Sequence, residues 1–261
     1  MRFSKWHALG NSYLLVERAE LARPLSADDA RRLCDPDRGV GADGVLEIID
    51  VRGPEAELHI WNPDGSRAEL SGNGARIAAM WVARRSAVAV PRLRLGERTI
   101  PARVEGQDVE VDLGPVDVGR PEALEIDGER LEFTPVSVGN PHAVLRREPV
   151  RQELLRLGPL IERHERFPGR TNVQLVRADG ANDLTVLVWE RGVGPTLASG
   201  SSAAAAAAAA VAHGWCKTPV SVHLPGGTLT VDIREGRAIL SGPVAEIFRG
   251  ETVWDDAVNP A

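Results

Sequence analysis

The sequence predicts a mixed α/β (α+β) protein built from two copies of one domain, each a sheet wrapped around a central helix. Three observations carry this. First, landmark pairs recur in the same order and at near-constant spacing: Gly10-Asn11 as Gly139-Asn140, Trp61-Asn62 as Trp189-Glu190, Ser71-Gly72 as Ser199-Gly200, and Gly114-Pro115 as Gly242-Pro243. The spacing is far longer than the roughly 20–50 residues of a solenoid repeat, so a duplicated domain is the simpler reading. Second, short strand-like stretches alternate with a few helical ones. Third, two serine-glycine turns each open an alanine-rich run, whose small side chains let strands close in from all sides. A chain of 261 residues holds two domains of ordinary size. The expected division is residues 1–115, joined by the C-terminal segment 247–261, and residues 116–246.

Taken in order, the first helix is expected over residues 26–34, with Ser26 as N-cap and Asp28 and Asp29 in the first turn. A second is expected over 74–85, behind the Ser71 turn, with Ala75, Ala78, Ala79 and Ala83. The stretch 109–113 alternates as a strand does, and a helix is expected over 151–163. Residues 184–189 read as a strand, residues 201–212 as the alanine-rich central helix of the second half, and 220–224 and 229–233 as strands around a Pro-Gly-Gly turn.

A formal net charge of −6 without a basic stripe argues against nucleic acid as a partner. The arginines at 84–85 and 163–170 are interrupted by acids and read as solvated faces. No stretch has the pattern of a signal peptide or the length of a membrane span, so a cytoplasmic protein with no membrane partner is expected. Cys34 and Cys216, the two cysteines, lack metal-type spacing and are expected to be packed rather than reactive. His7, His59, His142, His164, His213 and His223 are scattered, so no metal is expected. Gly39-Val40-Gly41 and Gly72-Asn73-Gly74-Ala75-Arg76 lack the spacing of a nucleotide-binding loop, and no cofactor is expected. The sequence does not fix the oligomeric state; a homodimer is carried as an expectation.

The chemistry points to the two serine turns. A helix N-terminus presents unpaired backbone N–H groups and the positive end of the helix dipole, which favour an anion such as a carboxylate. A matched pair of such turns favours a functional site over the plain alternative, in which glycines merely permit a tight turn.

The segments Phe3-Ser4-Lys5-Trp6-His7-Ala8-Leu9-Gly10-Asn11, Gly39-Val40-Gly41-Ala42-Asp43-Gly44, Asn62-Pro63-Asp64-Gly65-Ser66, Gly72-Asn73-Gly74-Ala75-Arg76, Gly139-Asn140-Pro141-His142-Ala143, Thr171-Asn172-Val173, Glu190-Arg191-Gly192-Val193-Gly194 and Leu224-Pro225-Gly226-Gly227 run in order along the chain. From end to end they resemble the diaminopimelate epimerase family. The resemblance implies two pseudo-symmetric domains, each a curled, barrel-like, mainly antiparallel sheet around a central helix, with the active site in the cleft between them. It also implies cofactor-free inversion of an amino-acid α-carbon, from LL- to meso-diaminopimelate, in the lysine and peptidoglycan precursor pathway. One group removes the α-proton from one face while another delivers a proton to the other. In the family both groups are cysteines, which fall on Ser71 and Ser199 here.

By the same resemblance, Gly72, Asn73 and Gly74 with Gly200, Ser201 and Ser202 would hold the substrate α-carboxylate. Asn11, Asn62, Asn140, Asn172, Glu190 and Arg191 would bind its amino-acid ends, Glu190 taking the ammonium and Arg191 the distal carboxylate. Glu190 and His142 join the two serines as catalytic candidates, His142 matching the family histidine that tunes the catalytic pair together with an acid. Each also has a plain alternative: an Asn beside Gly tolerates positive φ, and an Arg beside Glu forms a surface pair.

The sequence departs from the family at the chemistry itself. A free thiol titrates near 8.5 and lower at a helix start, whereas a serine hydroxyl has no anion near neutral pH and needs an adjacent base. Direct two-base inversion through Ser71 and Ser199 is therefore expected to fail or be slow. Ser12 stands where the family has an acid, Pro195 where it has Glu and Ser202 where it has Gly, which favours natural divergence over two engineered changes. Three readings stay open: an epimerase of impaired or altered activity, a related amino-acid isomerase or dehydratase using Ser71 or Ser199 with His142 or Glu190, and a non-catalytic amino-acid-binding protein.

Overall fold

The computed structural model describes residues 1–253; the end of the expected C-terminal segment, residues 254–261, lies outside the described residues. The chain divides into two compact units: Met1–Val109 with the chain from Val244 onward, and Glu110–Pro243. The changeovers fall a few residues before those expected, because the strand Asp108–Pro115 runs through the first of them.

In the first unit, Arg2–Ala8 pairs antiparallel with both Ala245–Glu251 and Asn11–Glu17. Asn11–Glu17 then runs parallel to Val45–Arg52, after a crossover through helix α1, Ala27–Cys34. The antiparallel hairpin of Val45–Arg52 and Glu55–Trp61 follows, and Glu55–Trp61 runs parallel to Arg92–Leu95 after a second crossover through helix α2, Gly72–Ser86. Arg92–Leu95 closes a hairpin with Arg98–Glu105. Parallel neighbours need such crossovers, and helices are their usual form. The capping box at α1 is complete, with Ser26 and Asp29 satisfying each other's backbone N–H groups.

The second unit repeats this pairing strand for strand. Glu129–Ser137 and Pro141–Arg146 form the antiparallel pair, and Pro141–Arg146 runs parallel to Asn172–Ala178 across helix α3, Arg151–Glu162. Asn172–Ala178 pairs antiparallel with Asp183–Glu190, which runs parallel to Val220–Leu224 across helix α4, Gly200–Ala212. Val220–Leu224 turns back into Gly227–Arg234.

Both alanine-rich helices are core elements. In α2 the residues from Gly72 through Met80 are buried, and in α4 every residue from 202 to 210 is. Each touches most strands of its own unit, as a helix without a polar face must. Alanine suits the position because it favours helix and lets the sheet come close. A second apolar layer lies beneath α1, around Leu14, Leu33, Val45 and Trp61, and beneath α3, around Phe133, Leu157, Ile161 and Leu175. Each such side chain contributes roughly 1.5–3 kcal/mol of burial. Among the described residues, no helix is long and apolar enough to cross a membrane.

Candidate functional site

The two turns have one backbone. Ser71 is the N-cap of α2 at φ −137°, ψ 118°, and Ser199 the N-cap of α4 at φ −140°, ψ 121°. Both helices begin at the glycine after the serine, two residues ahead of the sequence-based start of α2 and one ahead of that of α4, since Gly72 and Gly200 are already helical.

In the first unit, Ser71 Oγ accepts a hydrogen bond from the Gly74 N–H at 3.0 Å and lies 2.9 Å from the Tyr13 hydroxyl. The Asn73 side chain donates to Asn11 Oδ1 at 3.0 Å and accepts from Arg76 at 3.0 Å, so three expected or adjacent residues form one chain. Arg76 is fully buried, its Nε has no partner among the described residues, and burial lowers its guanidinium to about 10. Its positive charge therefore sits in the first turns of α2 and adds to the dipole there. Asn62 stands apart from this chain: its side chain donates to Ser66 at 2.9 Å and shapes the turn at 62–66. Ser12, in place of the family's acid, donates its backbone N–H to Asp43 at 2.7 Å, so a carboxylate reaches that position from another loop.

In the second unit, His142 Nε2 lies 2.9 Å from Asn140 Oδ1, and Gln174 Nε2 lies 3.1 Å from His142 Nδ1 and 3.0 Å from Ser202 Oγ. An asparagine oxygen can only accept and an amide nitrogen only donate, which sets His142 as the neutral Nε2–H tautomer. His142 is 1% exposed, and burial, reinforced by the nearby Arg191 charge, lowers it to about 3. It is neutral at physiological pH and acts here by holding Asn140 and Gln174. Asn172 accepts from the Arg191 N–H at 3.0 Å and donates to the Pro141 carbonyl at 2.9 Å, so its amide ties the Asn140 loop to the Glu190-Arg191 loop. The Arg191 guanidinium is exposed and reaches the Gly169 carbonyl. Buried Glu162 anchors the same loop through the Gly192 N–H and the Trp189 indole; the Trp61 indole is held likewise by buried Glu47.

The plain explanation of the asparagines is overturned. Gly10 and Gly139 take the positive φ, at 88° and 90°, and among the described residues Asn11, Asn62, Asn73, Asn140 and Asn172 do not lie in that region. Both cysteines are buried, and burial pushes Cys34 up to about 12 and raises Cys216.

Sequence reasoning missed Tyr13, Gln174 and Arg76. The repeat could have found the first, since Tyr13 follows Gly10 by the same interval as His142 follows Gly139.

The model of the diaminopimelate epimerase family matches residues 3–118 and 134–245. The chain belongs to the diaminopimelate epimerase family. It is 36% identical to a diaminopimelate epimerase of Magnetococcus marinus over 272 residues, covering 97% of each chain. It is 37% identical to that of Desulfitobacterium hafniense over 285 residues, covering 99% of this chain and 100% of the other. Among solved structures it is similar to a predicted epimerase from Pseudomonas aeruginosa (TM-score 0.73, 18% identity, 97% and 99% covered). A probable proline racemase from Agrobacterium radiobacter gives a TM-score of 0.73 at 14% identity, with 98% and 94% covered. Like other members of the diaminopimelate epimerase family, the protein is an isomerase of the epimerase type.

Proposed function

We propose that the protein inverts the α-carbon of diaminopimelate, converting the LL to the meso form in the cytoplasmic supply of lysine and peptidoglycan precursors, with Ser71 and Ser199 as the proton-transferring pair. The observation that carries this is the match between the two turns: serines in one backbone conformation, each at the N-cap position of a buried helix that begins with the glycine after it. Gly72, Asn73 and Gly74 with Gly200, Ser201 and Ser202 hold the α-carboxylate and so stabilise charge that develops at the neighbouring carbon. Glu190 takes the ammonium and Arg191 the distal carboxylate. Asn11 and Asn140 border the substrate, Asn172 sets the Glu190-Arg191 loop, and Asn62 shapes its turn.

Hydroxyls in place of thiols make this a slow epimerase, because alkoxide is scarce near neutral pH. A reading in which His142 supplies the base is disfavoured, since burial makes its imidazole a poor proton acceptor. The test is proton NMR of LL-diaminopimelate with the enzyme in deuterium oxide. Loss of the α-proton signal with growth of the meso isomer is expected; tight binding with no exchange over a long incubation would identify a non-catalytic binder instead.

A further inference from the structure

A serine can donate or accept a proton at carbon only if another group refills or drains its oxygen, and one group in the first unit is placed to do so. The Tyr13 hydroxyl lies 2.9 Å from Ser71 Oγ. Its ring is 6% exposed and fills space left by Gly44, where a Cβ would come within 2.5 Å of Tyr13 Cε1 and 2.8 Å of the Trp61 carbonyl oxygen. Any larger residue at 44 would displace the phenol from the serine. Tyr13 is also the repeat counterpart of His142, so both units place an ionisable ring at the same register beside their central helix.

Resting on the epimerase reading, we infer that Tyr13 is the proton source for Ser71, a positioning residue whose phenolic O–H donates to Ser71 Oγ as the Ser71 hydroxyl protonates the substrate α-carbanion. The hydrogen bonds of Ser71 accommodate this direction. The Gly74 N–H already occupies one lone pair of Oγ, so a Tyr13 O–H donating to the other leaves the serine's own hydrogen to point at substrate, whereas the reverse direction would spend it on the phenol. The bonds balance: the Ser71 O–H breaks as the α-carbon–hydrogen bond forms, and the Tyr13 O–H breaks as the Ser71 O–H is restored. The carbanion's charge ends on the phenolate, which takes a proton from water. A phenol titrates near 10, far below an aliphatic hydroxyl, so it holds that charge more readily than serine alone.

Two measurements test it. Tyr13→Phe removes only the hydroxyl and should lower kcat for α-proton exchange by about 10²-fold, with KM within about twofold and a cooperative urea transition that shows the variant folded. An unchanged kcat, or a loss confined to KM, overturns the relay. The second readout needs no turnover. The thiol introduced by Ser71→Cys should react with iodoacetamide at neutral pH about threefold more slowly once Tyr13→Phe is added, because a lost donor raises the thiol pKa while partly restoring its nucleophilicity. Buried Cys34 and Cys216 do not compete. Equal alkylation rates with and without the phenol overturn the relay whatever the enzyme turns over; a wild-type enzyme that exchanges no α-proton counts instead against the substrate reading.

Discussion

At the Ser71 turn the serine hydroxyl takes a hydrogen bond from the Gly74 N–H and contacts Tyr13, whereas Ser199, on the same backbone angles, makes no capping bond with its side chain. The polar contacts of the second unit pass instead through Ser202, the repeat counterpart of Gly74, to Gln174. In the first unit the strand position equivalent to Gln174 is Leu46, and a Cβ added at Gly74 would sit 3.0 Å from its methyl group. Two coupled exchanges thus separate the halves: Gly against Leu in one, Ser against Gln in the other. A hydroxyl at 202 buried against leucine would lose its partner; facing glutamine, it keeps one. Duplication fixed the backbone of the turn, and the side chains around it diverged in compensating pairs.

The largest effect should come from making both turns chemically alike again. Ser71→Cys with Ser199→Cys restores groups that ionise near neutral pH at a helix start and should raise α-proton exchange by at least about 10²-fold. An unchanged rate in a folded protein that still binds diaminopimelate would count against an epimerase-shaped site.

Next comes the ring at the shared register. His142 has its folded pKa lowered to about 3, against roughly 6.5 for a free histidine. Below 6.5 the unfolded chain binds a proton that the folded chain refuses, so this contribution is complete above about 6.5 and is lost as pH falls towards 3. Urea midpoints should decline more steeply over that window for the wild type than for His142→Asn; parallel curves would show that the imidazole is not buried neutral.

The compensating pair gives a smaller, sharper test. Ser202→Gly and Gln174→Leu should each cost about 1–3 kcal/mol by leaving a buried partner unsatisfied, while the double change costs less than their sum. Strict additivity would break the claim of a coupled exchange. Smallest of all is the cap: Ser71→Ala should cost about 1 kcal/mol and Ser199→Ala clearly less in chemical denaturation, since only the first serine caps its helix. Equal costs would erase the distinction.

The duplication, the four α-helices of the described residues and the location of the turns were legible in the sequence, because glycine-rich landmarks and alanine runs mark chain geometry that depends on local residues. The strands Asn11–Glu17 and Val45–Arg52 each bury four consecutive residues and carry no clean alternation, since parallel, helix-covered strands bury both faces. Site residues with local signatures, such as Asn11, Asn73 and Asn140, are found in networks beside the turns. Tyr13, Gln174 and Arg76 escaped notice because their importance arises from contacts across the fold: Tyr13 with Ser71, and Gln174 with His142 and Ser202. Arg76 reads as an ordinary helix arginine until its complete burial is seen.

The claim that the two serines act on opposite faces of one α-carbon is tested most directly by chiral chromatography of diaminopimelate after incubation with Ser71→Ala and with Ser199→Ala, each alone. Either change should stop LL-to-meso inversion, by about 10²-fold or more, because neither turn can complete the exchange without the other. Inversion at the wild-type rate in either folded variant would contradict it.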